Sequence, residues 1–99
     1  MALHVTIDER AIEQIAKLPR NVGRKVFRCI ERLAEDSTPR GSEKLEGTRH
    51  LRKVRVGDHR IVYAVEKNEV FVLKVGDRKD VYRGLESLEK RLGRRLPPK

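Results

Sequence analysis

Residues 53–65 constrain the fold of this chain more than any other stretch. Val54 and Val56 alternate with cationic residues, which is the period of two expected of a half-buried strand. Gly57 and Asp58 indicate a tight turn, because glycine reaches the positive φ that such turns require. The run that follows is β-branched and aromatic, as strands favour. The sequence therefore predicts a β-hairpin over this stretch.

The length of the hairpin loop decides which residues face each other. With a two-residue loop, the opposed pairs are Val56 and His59, Arg55 and Arg60, Val54 and Ile61, and Lys53 and Val62. Because opposed residues share a face, Lys53, Arg55 and Arg60 then project to one side, away from the apolar side chains. Like charges opposed on a sheet destabilise it, so the cluster points to an anionic ligand. A three-residue loop with a bulge would group the side chains differently, and ordinary solvated cations on an exposed face remain the alternative.

The chain is short and strongly basic. Its 99 residues fit a single domain spanning residues 1–99, and its net charge of +9 favours a nucleic acid, an anionic membrane surface or an acidic protein as partner. No apolar run is long enough to span a bilayer or to serve as a signal peptide. One cysteine, Cys29, suits a reducing compartment. These features predict a cytoplasmic protein.

Hydrophobic patterns predict the elements around the hairpin. They place a strand at residues 2–7, a helix capped by Asp8 and interrupted by Pro19, a helix at 21–36, a loop at 37–47, a strand at 70–75 and a final helix at 85–92. The register of the 70–75 strand stays open. One loop length turns Phe71, Leu73 and Val75 toward the helices, and the other turns Val70 and Val72. We favour the first set because its bulkier side chains make the better core.

Several enzyme classes lack their residue patterns in this sequence. His4, His50 and His59 have neither helical metal-ligand spacing nor a cysteine partner, so we expect no metal site and no cofactor. No serine sits in a nucleophile elbow, and there is no phosphate-binding loop. Cys29 falls on the apolar stripe of the second helix, which predicts a buried residue rather than a nucleophile.

Three segments carry a family resemblance when they are taken together. They are K-L-E-G at residues 44–47, the hairpin at 51–63 with its R-V-G-D-H-R, and residues 75–83 with R-K-D-V-Y. As a set they resemble the RelE/ParE superfamily of type II toxin–antitoxin toxins, over nearly the whole chain. The resemblance implies an α+β fold: a small antiparallel β-sheet with an N-terminal strand, two N-terminal helices packed on one face and a short C-terminal helix.

The RelE-like branch of that superfamily implies a ribosome-dependent, metal-independent endoribonuclease that cleaves mRNA and inhibits translation. Carried over by position, its catalytic residues are Lys53, Arg55, Arg60, Arg78 and Tyr82. The implied partners are a cognate antitoxin protein, the ribosome and mRNA. Operator DNA is reached only through the antitoxin complex, and neither a membrane nor a cofactor takes part.

Chemical roles for these residues follow from cleavage by the RNA's own 2′-hydroxyl. Lys53 or Arg55 is predicted to be part of the base and the electrostatic apparatus. We favour Lys53 as the base, because neighbouring cations lower the pKa of a lysine whereas arginine stays protonated. Arg60 would stabilise phosphate charge, and Arg78 would do the same or protonate the leaving oxygen. Tyr82 could stack on a splayed base. Asp77 stands where the family commonly has a basic residue or histidine, which puts a carboxylate beside Arg78.

Two other functions fit the same sequence. A ParE-like member would bind and poison DNA gyrase without cutting RNA. A non-catalytic basic module would bind nucleic acid or an acidic peptide, with an affinity that falls steeply as salt rises.

Overall fold

The fold is a five-stranded sheet with helices on both faces, in strand order β1-β5-β4-β3-β2. The computed structural model describes residues 3–77 and 79–95. Its strands are β1 His4–Ile7, β2 Glu43–Lys44, β3 Leu51–Val56, β4 His59–Glu66 and β5 Glu69–Asp77. Its helices are α1 Glu9–Ala16, α2 Arg20–Glu35 and α3 Leu85–Arg95, and a 3-10 turn at Asp80–Tyr82 precedes α3. The α+β fold that the resemblance implied is confirmed.

The first strand makes the sheet mixed rather than wholly antiparallel. β1 pairs with β5 in parallel, whereas the other neighbouring strands run antiparallel. After β1, the Asp8 side chain accepts a 2.9 Å hydrogen bond from the Arg10 amide and caps α1 as predicted. Pro19 then separates α1 from α2. None of the helices in the described ranges is long and apolar enough to cross a membrane.

The hairpin between β3 and β4 has the predicted two-residue loop. Gly57 takes a φ of +59°, which a type II′ turn requires at its first central position. The pairs are Val56 with His59, Arg55 with Arg60, Val54 with Ile61 and Lys53 with Val62, so the predicted register is confirmed.

We call the face of the sheet that packs against α1 and α2 the first face. Its buried cluster consists of Ala11, Ile15, Val26, Ile30, Leu33, Val54, Ile61, Tyr63, Val70, Val72 and Val75. Cys29 packs at the margin of this cluster and is half-buried. Burial raises the pKa of its thiol, which agrees with a packing role and disfavours a nucleophile.

The opposite side, the second face, is covered at one end by α3 and the 3-10 turn. Its buried cluster consists of Leu45, Leu51, Val62, Ala64, Phe71, Leu73, Val81, Leu88 and Leu92. Lys53, Arg55 and Arg60 project from the same face outside that cluster, since they alternate with the first-face residues of β3 and β4. The C-terminal helix therefore covers the sheet beside the cationic cluster.

A β-bulge in β5 changes the side-chain pattern of that strand. Val62 pairs with Lys74 but the next residue, Tyr63, pairs with Val72, which leaves Leu73 as an extra residue. A bulge sets two residues of one strand against one of its partner. Leu73 and Lys74 accordingly both turn to the second face, where Leu73 packs in the cluster and Lys74 reaches the 3-10 turn.

The favoured orientation of the 70–75 strand is wrong for two of its three residues. Phe71 and Leu73 pack in the second-face cluster, while Val75 does lie against α1 and α2 together with Val70 and Val72. The bulge is the reason, because it shifts the alternation by one residue part-way along the strand. Before Leu73 the strand has the orientation that turns Val70 and Val72 toward α1 and α2, and after Leu73 it has the one that turns Val75 toward them.

Candidate active site

Three cations of the hairpin meet on the second face. Lys53 and Arg55 belong to β3 and Arg60 to β4, where Arg55 and Arg60 stand directly opposite each other. All three line a cleft of about 180 Å³ whose other walls are Gly41 and Glu43. The two-residue loop sets this grouping, because a different register would have moved Arg60 away from Lys53 and Arg55.

The two arginines border a second and larger cleft as well. This cleft has a volume of about 480 Å³ and is lined by Arg55, Asp58, Arg60, Asp77 and Lys79. The Arg55 Nε donates to the Gly57 carbonyl at 2.8 Å, and the Arg60 Nη1 donates to the His59 carbonyl at 3.3 Å. These bonds use only part of each guanidinium, so both arginines keep N–H donors for an anion lying between the clefts.

Tyr82 joins this group through Lys53. The Lys53 ammonium donates a 2.8 Å hydrogen bond to the Tyr82 hydroxyl and lies 5.0 Å from the centroid of the ring. Tyr82 is 37% exposed, which leaves part of its ring open to a ligand. Four of the five predicted site residues are thus described; Arg78 lies outside the described residues.

The pKa of Lys53 is raised, contrary to the expectation that its neighbours lower it. The hydrogen bond with Tyr82 is the largest cause of the rise, and Glu43 adds to it, while burial and Arg60 act in the opposite sense. Lys53 therefore holds its proton at neutral pH. Its side chain offers an ammonium to the cleft, which suits charge stabilisation or proton donation better than proton abstraction.

Glu43 is a residue of the cleft that the sequence reading missed. Its Oε2 lies 3.7 Å from the Lys53 Nζ, and β2 pairs Glu43 directly with Lys53. A two-residue strand is too short to show any alternation, so the segment reads as a loop. The signal available in the sequence was its place beside the K-L-E-G segment. Glu43 brings a proton acceptor to a cleft otherwise rich in cations.

Asp77, the last residue of β5, binds the backbone of the turn that carries Tyr82. The Asp77 Oδ1 accepts hydrogen bonds from the amides of Lys79 at 2.9 Å and Asp80 at 2.8 Å. The same two amides, Asp80 first, lower the pKa of Asp77. Asp77, which departs from the pattern of the resembled family, therefore organises the backbone at the start of the 3-10 turn.

Comparison with known proteins identifies the family and the fold of the chain. A family model for the ParE toxin of type II toxin–antitoxin systems matches residues 5–82. The chain belongs to this toxin family. The match includes β3, β4 and Tyr82, so the whole described site of the toxin lies inside it. A comparison with curated protein sequences finds no match for the toxin.

Solved structures place the toxin in the RelE-like part of the RelE/ParE superfamily. A free-state mutant of the Escherichia coli toxin RelE is 26% identical, with a TM-score of 0.73 over 93% of this chain and 98% of that chain. RelE in a RelE–RelB complex from Pyrococcus horikoshii is 28% identical, with a TM-score of 0.71 over 80% and 98%. The intact E. coli RelBE complex gives 28% identity and a TM-score of 0.69 over 79% and 99%.

Proposed function

We propose that the toxin is a ribosome-dependent endoribonuclease that cleaves mRNA and so inhibits translation. One observation carries this proposal: Lys53, Arg55 and Arg60 line a single cleft, and Tyr82 is hydrogen-bonded to Lys53 at its rim. Metal-independent cleavage needs cations around the pentacoordinate phosphorane, and preorganised donors do this without reorganising during the reaction. The likeness to RelE toxins adds support from the fold.

Arg55 and Arg60 are the residues we assign to the scissile phosphate. They are opposed across two strands, border both clefts and retain unused donors. A phosphate bound between them would present one flanking nucleoside to each cleft. Charge-assisted bonds from guanidinium to phosphate are strong and directional, so the pair would fix the backbone as well as stabilise its charge.

Proton transfer is divided between Glu43 and Lys53. We assign Glu43 as the acceptor of the 2′-hydroxyl proton, since it brings a carboxylate into the cleft and Lys53 keeps its own proton. The Lys53 ammonium then stabilises the phosphorane or donates to the leaving 5′-oxygen. Arg78, selected by resemblance and predicted either to stabilise phosphate charge or to protonate the leaving oxygen, lies outside the described residues. Tyr82 offers an exposed ring on which a base can stack.

An antitoxin is the protein partner we propose. RelE is bound to RelB in the complexes from P. horikoshii and E. coli. The toxin's net charge of +9 also favours a partner with an acidic segment. Contact with operator DNA would run through that complex.

Inhibition of DNA gyrase is the second candidate, because the matching family model is that of ParE toxins. Two assays on the purified toxin separate the candidates: cleavage of a defined mRNA on programmed ribosomes, and supercoiling by gyrase. We expect discrete mRNA breaks and unchanged supercoiling. Intact mRNA with blocked supercoiling would establish the ParE-like activity instead. Intact mRNA with normal supercoiling and salt-sensitive RNA binding would establish a binding module.

A further inference from the structure

Lys53 and Lys74 lie in one cross-strand row on the second face. Val62 of β4 pairs with Lys53 of β3 on one side and with Lys74 of β5 on the other. Neighbouring strands are about 4.8 Å apart, so the two lysine backbones stand roughly 10 Å apart with Val62 between them. The bulge at Leu73 is what puts Lys74 on this face.

Both lysines bind the segment at residues 80–83, each from its own end of that row. The Lys74 Nζ donates to the carbonyl of Asp80 at 2.8 Å and to the carbonyl of Arg83 at 2.7 Å. These carbonyls flank Tyr82, whose hydroxyl accepts the bond from Lys53. Lys74 is partly buried, and burial is the main reason that its pKa is lowered.

Other contacts also hold this turn, and one of them is a backbone bond that the Arg83 amide donates to the Asp80 carbonyl at 3.1 Å. Val81 is fully buried in the second-face cluster, and it packs so closely on β5 that a Cβ added at Gly76 would lie 3.6 Å from its backbone nitrogen. Asp77 binds the amides at the start of the turn. Among the side-chain hydrogen bonds of the described residues, those of Lys74 alone reach the carbonyls on both sides of Tyr82.

We propose that Lys74 is a positioning residue that sets the Tyr82 hydroxyl against the Lys53 ammonium. The backbone bond between Arg83 and Asp80 closes the turn. By binding the carbonyls of Asp80 and Arg83 with one nitrogen, Lys74 anchors that turn to β5 and holds the phenol over the cleft. Lys74 itself points to the backbone of the turn and needs no contact with RNA. Its consequence for cleavage rests on the proposed function, whereas its consequence for the Lys53–Tyr82 bond does not.

The structural arm of the test uses tyrosine labelled with ¹³C in the ring. The chain has two tyrosines, and Tyr63 serves as an internal reference because its hydroxyl bonds to the Ser37 carbonyl at 2.8 Å. In the parent toxin, Lys53→Met should shift the Tyr82 resonances and leave those of Tyr63 in place. In a Lys74→Met background, the same substitution should no longer shift Tyr82. A Tyr82 shift of parental size there would overturn the proposal.

The catalytic arm is a double-mutant cycle on programmed ribosomes. Lys74→Met should lower kcat with KM unchanged, by up to about 10²-fold, because a small misplacement of a positioned group can cost that much. In a Tyr82→Phe background it should cost nothing further. An equal fold-loss in both backgrounds would mean that Lys74 acts by another route, through stability or RNA contact. Lys25→Met, an exposed lysine of α2, is the matched control and should leave both readouts unchanged.

The structural and catalytic arms of the test can fail independently of each other. A parent toxin that cuts no mRNA would defeat the proposed function, and the tyrosine spectra would still decide the role of Lys74. Should Lys74→Met not fold, Lys74→Gln retains a donor, and it should reduce the Lys53-dependent Tyr82 shift without abolishing it. A shift equal to the parent's in that variant would also overturn the proposal.

Discussion

The Lys53 ammonium donates a 2.8 Å hydrogen bond to the Tyr82 hydroxyl, across 29 residues of chain. This bond joins the central hairpin to the turn before α3, and it is the largest cause of the raised pKa of Lys53. It therefore changes the chemistry assigned to the cleft. In the proposed reaction Lys53 acts as an ammonium, and Glu43 is the acceptor we assign to the proton of the 2′-hydroxyl.

The protonation state of Lys53 can be measured directly. Because its folded-state pKa is raised, Lys53 should keep its proton as pH rises past the ordinary lysine value and lose it only above that. Tyr82→Phe removes the largest cause, so the titration should move to lower pH. NMR titration of ¹³C-labelled lysines gives both values. If Lys53 of the parent toxin loses its proton at a lower pH than the exposed lysines do, Lys53 would again be the candidate for the base.

Glu43→Gln should slow cleavage by about 10²–10⁴-fold, the usual contribution of a positioned acid or base. The amide keeps the size of the side chain but accepts no proton. Single-turnover cleavage on ribosomes measures the effect. Glu46→Gln, an exposed neighbour that does not line the cleft, is the control. Equal rates for the two variants would remove Glu43 from the mechanism.

Arg60→Ala should lower kcat by about 10²–10³-fold, since it deletes a donor aimed at the developing phosphorane charge. The fold should survive, because Arg60 is only partly buried and its one described side-chain bond goes to the His59 carbonyl. Arg28→Ala, on the exposed side of α2, should cleave at the parent rate. A parent-like rate for Arg60→Ala would contradict the assignment of the phosphate to this residue.

The ion pair between Arg91 and Asp8 should contribute strongly to stability. The Arg91 Nη2 lies 2.5 Å from the Asp8 Oδ2, and the two side chains are 22% and 6% exposed. Arg91→Met leaves the carboxylate buried without this cation, at a cost on the order of 3 kcal/mol in the free energy of unfolding. Urea unfolding should show a lower midpoint with the same slope. Lys90→Met, exposed on α3, should match the parent; an equal loss in both would refute the pair's role.

Local sequence signals predicted the hairpin and, for the simplest loop of two residues, the face that carries its cations. Gly57 and Asp58 set a two-residue loop, and that loop alone determines that Lys53, Arg55 and Arg60 share a face. Apolar spacing located the helices to within a few residues, because each buries a continuous stripe. These features depend on residues close together in the chain.

Features that depend on distant residues escaped the sequence reading. The bulge at Leu73 is visible only against the partner strand β4, so the orientation of β5 could not be settled beforehand. The two-residue strand that presents Glu43 has no period of its own. The pKa of Lys53 is raised rather than lowered, because the hydrogen bond with Tyr82, which lies far along the chain, outweighs the effect of the neighbouring cation Arg60.

The nucleophile is the point on which the whole account depends, and one substituted message tests it. Programmed ribosomes receive an mRNA with a single 2′-deoxy nucleotide immediately 5′ of the mapped break, beside the all-ribose message. We predict that the all-ribose message is cut to a 2′,3′-cyclic phosphate and a 5′-hydroxyl, and that the substituted one stays intact at that position. Cleavage of the deoxy-substituted message at the same position would contradict the account.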